Sequence, residues 1–158
     1  MKRKIGVFEV SIVSFFYFLP LISIIVDMFV FKETRLSQVI LKWCVFYGVG
    51  LRLFTAGMKQ VLNPAFTAKS IFTVTDEKAF PIVRELGFAN ICSGFMGIVS
   101  LFVPTFRYAA AILGGVYFLL ALLQHLARKN KNSKEAFVTI TNLSIVLEIG
   151  IPLVIALI

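Results

Sequence analysis

Residues 37–62 read SQVILKWCVFYGVGLRLFTAGMKQVL. The stretch is long enough and apolar enough to cross a bilayer, which takes about 20 mostly apolar residues. Yet it holds Arg52 about eight residues from its end, a depth of about 12 Å at 1.5 Å per residue. A guanidinium at that depth is expensive against lipid, so it must face other helices. One segment therefore predicts both a membrane span and a bundle around it.

Four further stretches qualify as spans, at Ile5–Phe31, Pro81–Val103, Thr105–Ala127 and Phe137–Ile158. The whole chain agrees with that reading. Of its 158 residues, 59% are apolar and 15% charged, with a mean hydropathy of +0.92. A soluble domain carries about 45–50% apolar and 25% charged residues. Seventeen Phe exclude intrinsic disorder and two Cys exclude a disulfide scaffold. The expected fold is all-α: residues 1–158 as one integral membrane domain, a polytopic bundle of five transmembrane helices. Met1-Lys2-Arg3-Lys4 mimics the basic start of a signal peptide, but the apolar run after it is too long and no small-residue cleavage site follows.

The formal charge of +8 follows the topology. Lys2, Arg3, Lys4, Lys59, Lys69, Lys78, Arg84, Arg128, Lys129, Lys131 and Lys134 fall on one side of a five-span chain. Lys32, Arg35, Lys42 and Arg107 fall on the other. The positive-inside rule then puts the N-terminus in the cytoplasm and the C-terminus outside, in a plasma membrane of bacterial type. Trp43, Tyr47 and Tyr108 belong to the outer interface. With its basic residues in short caps, the chain has no soluble face for nucleic acid. The longest connection is Asn63–Phe80. Asn63-Pro64 reads as an N-cap and a first-turn proline, opening a short interfacial helix or a structured loop.

Every polar group in a span needs a partner. Arg52 continues a stripe through Gly48, Thr55, Ala56 and Lys59, whose small residues suit close helix approach. Glu148, about 16 Å into span five, is the expected partner of Arg52, with Glu85 joining from about 6 Å into span three. Span three adds Gly87, Asn90, Ser93, Gly94, Gly97 and Ser100, a pattern of close helix packing. Gln124 and His125 end span four, and Asn142 lies near the level of His125. The polar set thus converges on the cytoplasmic half: Arg52, Lys59, Glu85, Asn90, Gln124, His125, Asn142 and Glu148. That is where a ligand pocket is expected. In span one, Glu9 and Asp27 share a face near opposite surfaces, with Lys32 or Arg35 as expected partners for Asp27. Cys44 and Cys92 differ in depth, which disfavours a disulfide. A lone His with no HxxxH or CxxC predicts no metal site.

The run Arg52-Leu-Phe-Thr-Ala-Gly57-Met-Lys59-Gln60, then Pro64-Ala-Phe66, Ala68-Lys-Ser70-Ile71, Phe80-Pro81 and Glu85-Leu-Gly87-Phe-Ala-Asn90 resembles DoxX-like small membrane proteins. Its order of elements is most similar to an uncharacterised bacterial family with an extra N-terminal span. Arg52, Gly57, Glu85, Gly87 and Asn90 match by position, as does His125 before a basic loop. The family's His near Pro64 and Trp near Phe72 are absent. The resemblance covers spans two to five and implies a four-helix core plus the N-terminal helix, sometimes linked to quinone- or thiol-coupled redox partners.

Catalytic motifs are lacking, and the residues themselves call for no cofactor. The leading expectation is a non-enzymatic module that binds a small amphiphile or lipid, or a partner membrane protein or second copy, through the polar cluster. The alternatives are a proton-coupled small-solute transporter titrating at Glu148 or Glu85, and an intramembrane acid–base or quinone- or lipid-linked redox enzyme using Glu85 or His125.

Overall fold

The computed structural model describes residues 10, 12–32 and 35–158. The basic start of the chain, the proposed beginning of span one at Ile5, and Glu9 lie outside them. The described chain is helical, without strands. Helices α1 (Ser14–Phe29), α2 (Leu36–Leu62), α3 (Phe80–Phe102), α4 (Phe106–Ala127) and α5 (Ser133–Leu157) form a bundle. Helices α2 to α5 are long and apolar enough to cross a membrane, and α1 is a shorter apolar helix over its described length. The expected helical membrane bundle is the architecture observed.

Helix α2 is central and contacts all the others. Its Leu41, Val45, Val49 and Leu53 are buried against Phe16, Ala110, Ala111, Phe118, Ile145 and Ile149 from α1, α4 and α5. Outward-facing Leu21, Phe29, Phe95, Leu120, Ile140 and Ile155 are exposed, as lipid-facing side chains must be.

The tightest packing joins α2 to α3 and depends on glycine. Gly50 and Gly57 are two turns apart on α2, facing Gly87, Gly94 and Gly97 on α3. A Cβ on Gly57 would stand 2.5 Å from Gly87 O, one on Gly97 2.5 Å from Gly50 N, and one on Gly94 would strike the Phe54 backbone. These obstacles are main chain and cannot rotate away, so only hydrogen lets the two backbones meet. The expected packing role of the span-three glycines is thus observed, but its counterpart on α2 is not the Gly48 stripe. A Cβ on Gly48 would meet only side chains, at ordinary distances near 3.8 Å. Residues Val45–Leu51 are wound as a π-helix. At about 100° per residue Gly50 and Gly57 fall on one face and Gly48 about half a turn from both, so the stripe of Arg52 and the glycine seam face different ways.

Two further local features shape one end of the bundle. Asn63 Oδ1 accepts from Phe66 N at 3.3 Å, and after Pro64 the chain makes a π-helical turn, Phe66–Ile71, with Thr67, Ala68 and Ile71 buried. The expected interfacial helix therefore folds inward against the bundle. Helix α5 starts at Ser133, earlier than the expected Phe137, because Asn132 Oδ1 accepts from Glu135 N at 2.9 Å.

Candidate functional site: an interior cavity at the basic end

A cavity of about 680 Å³ opens among α1 to α5 and the Phe66–Ile71 turn, at the end of the bundle carrying the basic 63–79 and 128–132 connections. That volume lies within the range of small-molecule sites, about 300–1,000 Å³. Of the expected cluster, Arg52, Lys59, Asn90, Gln124, His125 and Asn142 line it. Glu85 and Glu148 do not. Glu85 is exposed on the first turns of α3, where the glycine seam turns Gly87 and Asn90 inward and leaves residue 85 facing out.

Arg52 is 9% exposed. Its Nη2 donates to Asn142 Oδ1 at 2.8 Å and to Thr141 Oγ1 at 3.1 Å. The guanidinium carbon lies 4.2 Å from the Phe16 ring centroid and 5.0 Å from that of Phe118. Contrary to expectation, Arg52 makes no ion pair with Glu148 or Glu85 among the described residues. Glu148 is half-buried one and a half turns beyond Asn142, coupled to Arg52 through the field and not by contact. An amide, a hydroxyl and two aromatic rings solvate the charge instead, and Nη1 is buried with no partner among the described residues.

A second polar station lies lower in the cavity. His125 is buried, and its Nδ1 is 3.0 Å from Glu135 Oε1. Arg128 Nη1 reaches the same oxygen at 3.0 Å. Glu135 is 0% exposed, and its Oε2 is unpartnered. His125 Nε2 has no partner among the described residues and belongs to a cavity-lining ring. The Phe72 ring stacks on that imidazole at 6.0 Å and 9°. Arg128 Nη2 donates to Phe72 O at 3.1 Å, and Asn132 Nδ2 to Ser70 O at 3.0 Å. The basic α4–α5 connection thus fastens the Phe66–Ile71 turn over the cavity.

The two stations have a fixed separation. Asn142 and Glu135 are seven residues apart on α5, as are Phe118 and His125 on α4. Both intervals are two turns on one face, about 10 Å. Between the stations, Asn90 Nδ2 donates to Gln60 Oε1 at 2.8 Å across the α2–α3 seam. Lys59 Nζ sits 3.5 Å from the Phe66 ring centroid. Thr55, Leu120 and Gln124 are exposed as well as lining, so the cavity opens sideways between helices.

Glu135, Gln60, Tyr117 and Phe118 were not among the expected site residues. Asn132-x-x-Glu135 is a helix-start signature that reveals the earlier onset of α5 and carries Glu135 into the bundle. Phe118 and Tyr117 carry no sequence signal that separates them from ordinary core aromatics. At the other end, Asp27 is buried and pairs with Lys42, not with the expected Lys32 or Arg35, and accepts from Trp43 Nε1 at 2.7 Å. Cys44 and Cys92 are both free thiols, and among the described residues no His, Cys, Asp or Glu cluster suits a metal.

An all-helical, apolar bundle enclosing a polar, ligand-sized cavity defines a small integral membrane protein with an interior site. The chain belongs to the family of unknown function DUF6790, whose model matches residues 10–158. No curated protein and no solved structure matches it.

Proposed function

We propose that this protein binds a small amphiphile in the interior cavity and acts as a non-enzymatic membrane module. The observation that carries the reading is a buried guanidinium, with Nη1 unpartnered among the described residues, on the wall of a cavity that mixes aromatic and aliphatic side chains with a few polar ones. A buried donor left unpaired costs about 1–3 kcal/mol, and a bound polar group removes that cost. The sideways mouth at Thr55 and Leu120 supports entry from the bilayer. We assign the basic end to the cytoplasm on the lysine and arginine bias. Kinship with DoxX-like proteins is also proposed: Arg52 and Asn90 of the shared pattern both line the cavity. Glu85, absent from the wall, lends that kinship no support.

Native mass spectrometry from mild detergent tests the binding. The wild-type protein should carry a bound lipid adduct. Ala121→Phe, which fills the cavity, should lose it without lowering the melting temperature. An adduct unchanged in Ala121→Phe would place binding elsewhere and defeat the reading.

A second reading, acid–base chemistry on the bound molecule, is favoured by one observation. A buried carboxylate lies 3.0 Å from His125 Nδ1, and the imidazole is on the cavity lining. That arrangement orients an imidazole for proton transfer. The transporter reading gains less, because neither Glu85 nor Glu148 lines the cavity.

A further inference from the structure

We infer that the ligand is a single-chain anionic amphiphile from the bilayer, a fatty acid in its carboxylate form, with its acid group on Arg52 and its chain leaving through the side mouth. The inference rests on the amphiphile-binding reading and names its substrate class.

The sign of the ligand follows from what the wall contains. Arg52 lines the cavity, and no Asp or Glu among the described residues does. The two nearest buried or half-buried acids are engaged or remote. Glu135 is occupied by His125 and Arg128 and is not on the wall. Glu148 makes no contact with Arg52. Arg52 offers one NH₂ group already bound to Asn142 and Thr141, and a second, Nη1, with nothing to bind. A carboxylate is the group that fits such a free donor in a dry site, because a charged hydrogen bond there is strong and offsets the buried cation. The Phe16 and Phe118 rings pack against the guanidinium at 4.2 and 5.0 Å, which leaves fewer directions from which the acid can approach.

The shape favours one chain. The cavity of about 680 Å³ opens where Thr55, Leu120 and Gln124, its exposed lining residues, reach the lipid side. Aliphatic Ile12, Leu53, Leu86 and Val138 provide the walls along that route. A two-chain phospholipid would instead leave its large headgroup at the basic end, where the Phe66–Ile71 turn is tied down by Arg128 and Asn132.

The test uses the full-length protein in nanodiscs of neutral lipid. A diazirine-bearing palmitic acid and its methyl ester are photolysed in parallel, and crosslinks are located by peptide mass spectrometry. Crosslinks from the acid should fall on residues 53–56 and 117–124 and exceed those from the ester about tenfold or more, the effect of one charged hydrogen bond. Arg52→Gln should erase the difference while ester labelling persists. Where that variant fails to fold, the acid-to-ester ratio on the wild type still decides. Equal labelling by acid and ester would overturn the anionic assignment and leave amphiphile binding standing. No cavity labelling by either would overturn both. Suppression of acid labelling by excess inorganic phosphate, as strong as by unlabelled palmitate, would show a free-anion site and overturn the acyl-chain assignment.

Discussion

The two ends of this bundle each bury an acidic residue, and they treat it differently. At the aromatic end, Asp27 of α1 meets Lys42 and Trp43 of α2. Gln38 Nε2 donates to Tyr108 Oη at 2.6 Å, and Ser23 and Tyr47 hydroxyls pair at 3.1 Å. Those contacts stitch α1, α2 and α4 together, and none of these residues lines the cavity at the basic end. At the basic end, Glu135 holds His125 and Arg128, yet Glu135 Oε2 and Arg52 Nη1 stay unpaired beside a cavity. Buried polar atoms are nearly always satisfied where a structure serves only stability. The contrast separates an end built to hold helices together from an end built to receive a molecule. Arg107 Nε is also unpaired near the stitched end, but that side chain is partly exposed.

The largest expected effect compares the two acids directly. Glu135→Ala strands Arg128 and frees His125 inside the bundle, which should destabilise the protein by about 3–5 kcal/mol, the usual result of breaking a buried pair from one side. Asp27→Ala should lose about 1–2 kcal/mol, because Lys42 is 22% exposed and can turn toward water. Equilibrium unfolding in mixed micelles measures both. Equal losses would break the distinction between the ends.

Much of this was legible in residue spacing. Helices α2, α3 and α4 begin within a residue of where the apolar runs begin, because lipid forces every backbone group into a helix. Depth arithmetic was also enough to gather Arg52, Lys59, Asn90, Gln124, His125 and Asn142, since residues at one depth on neighbouring helices meet if they face inward. Depth is one coordinate and facing is another. Glu148 has nearly the depth of Arg52 but does not reach it, and Asn142 and Thr141, one to two turns away on the same helix, do. Helical spacing also separates the two α2 faces: Gly50 and Gly57, seven residues apart, share the seam, and Gly48 lies about half a turn away from it. Glu135 was missed for a different reason. Beside Lys129, Lys131 and Lys134 it reads as a solvated charge, although Asn132 three residues earlier marks a helix start.

Double-mutant cycles sharpen the comparison with smaller energies. Arg128→Gln with Glu135→Gln should show a coupling of about 1–3 kcal/mol, as contacting charges do. Arg52→Gln with Glu148→Gln should show a coupling below about 1 kcal/mol, since those groups share no contact and act on each other only through the field. A coupling above 1 kcal/mol in the second cycle would restore the Arg52–Glu148 pair and remove the reason to seek an outside anion.

The smallest effect concerns the connections at the two ends. Among the described residues, each has one non-glycine residue in the left-handed region: Lys32 at φ 54° between α1 and α2, and Thr73 at φ 58° after the Phe66–Ile71 turn. Lys32 is unbranched and exposed, so its strain is slight. Thr73 is β-branched, where this conformation is a true outlier, and it persists because its neighbours hold it. Its Oγ1 donates to Phe72 O at 2.6 Å, and the same carbonyl accepts from Arg128. Asparagine tolerates the left-handed region, so Thr73→Asn should raise stability by about 0.5–1 kcal/mol, and Lys32→Asn by less than half of that. Thermal melts of the two single variants measure the difference. A larger gain at Lys32 would mean that strain is not concentrated on the segment that covers the cavity, and that the covering turn is as relaxed as the connection at the stitched end.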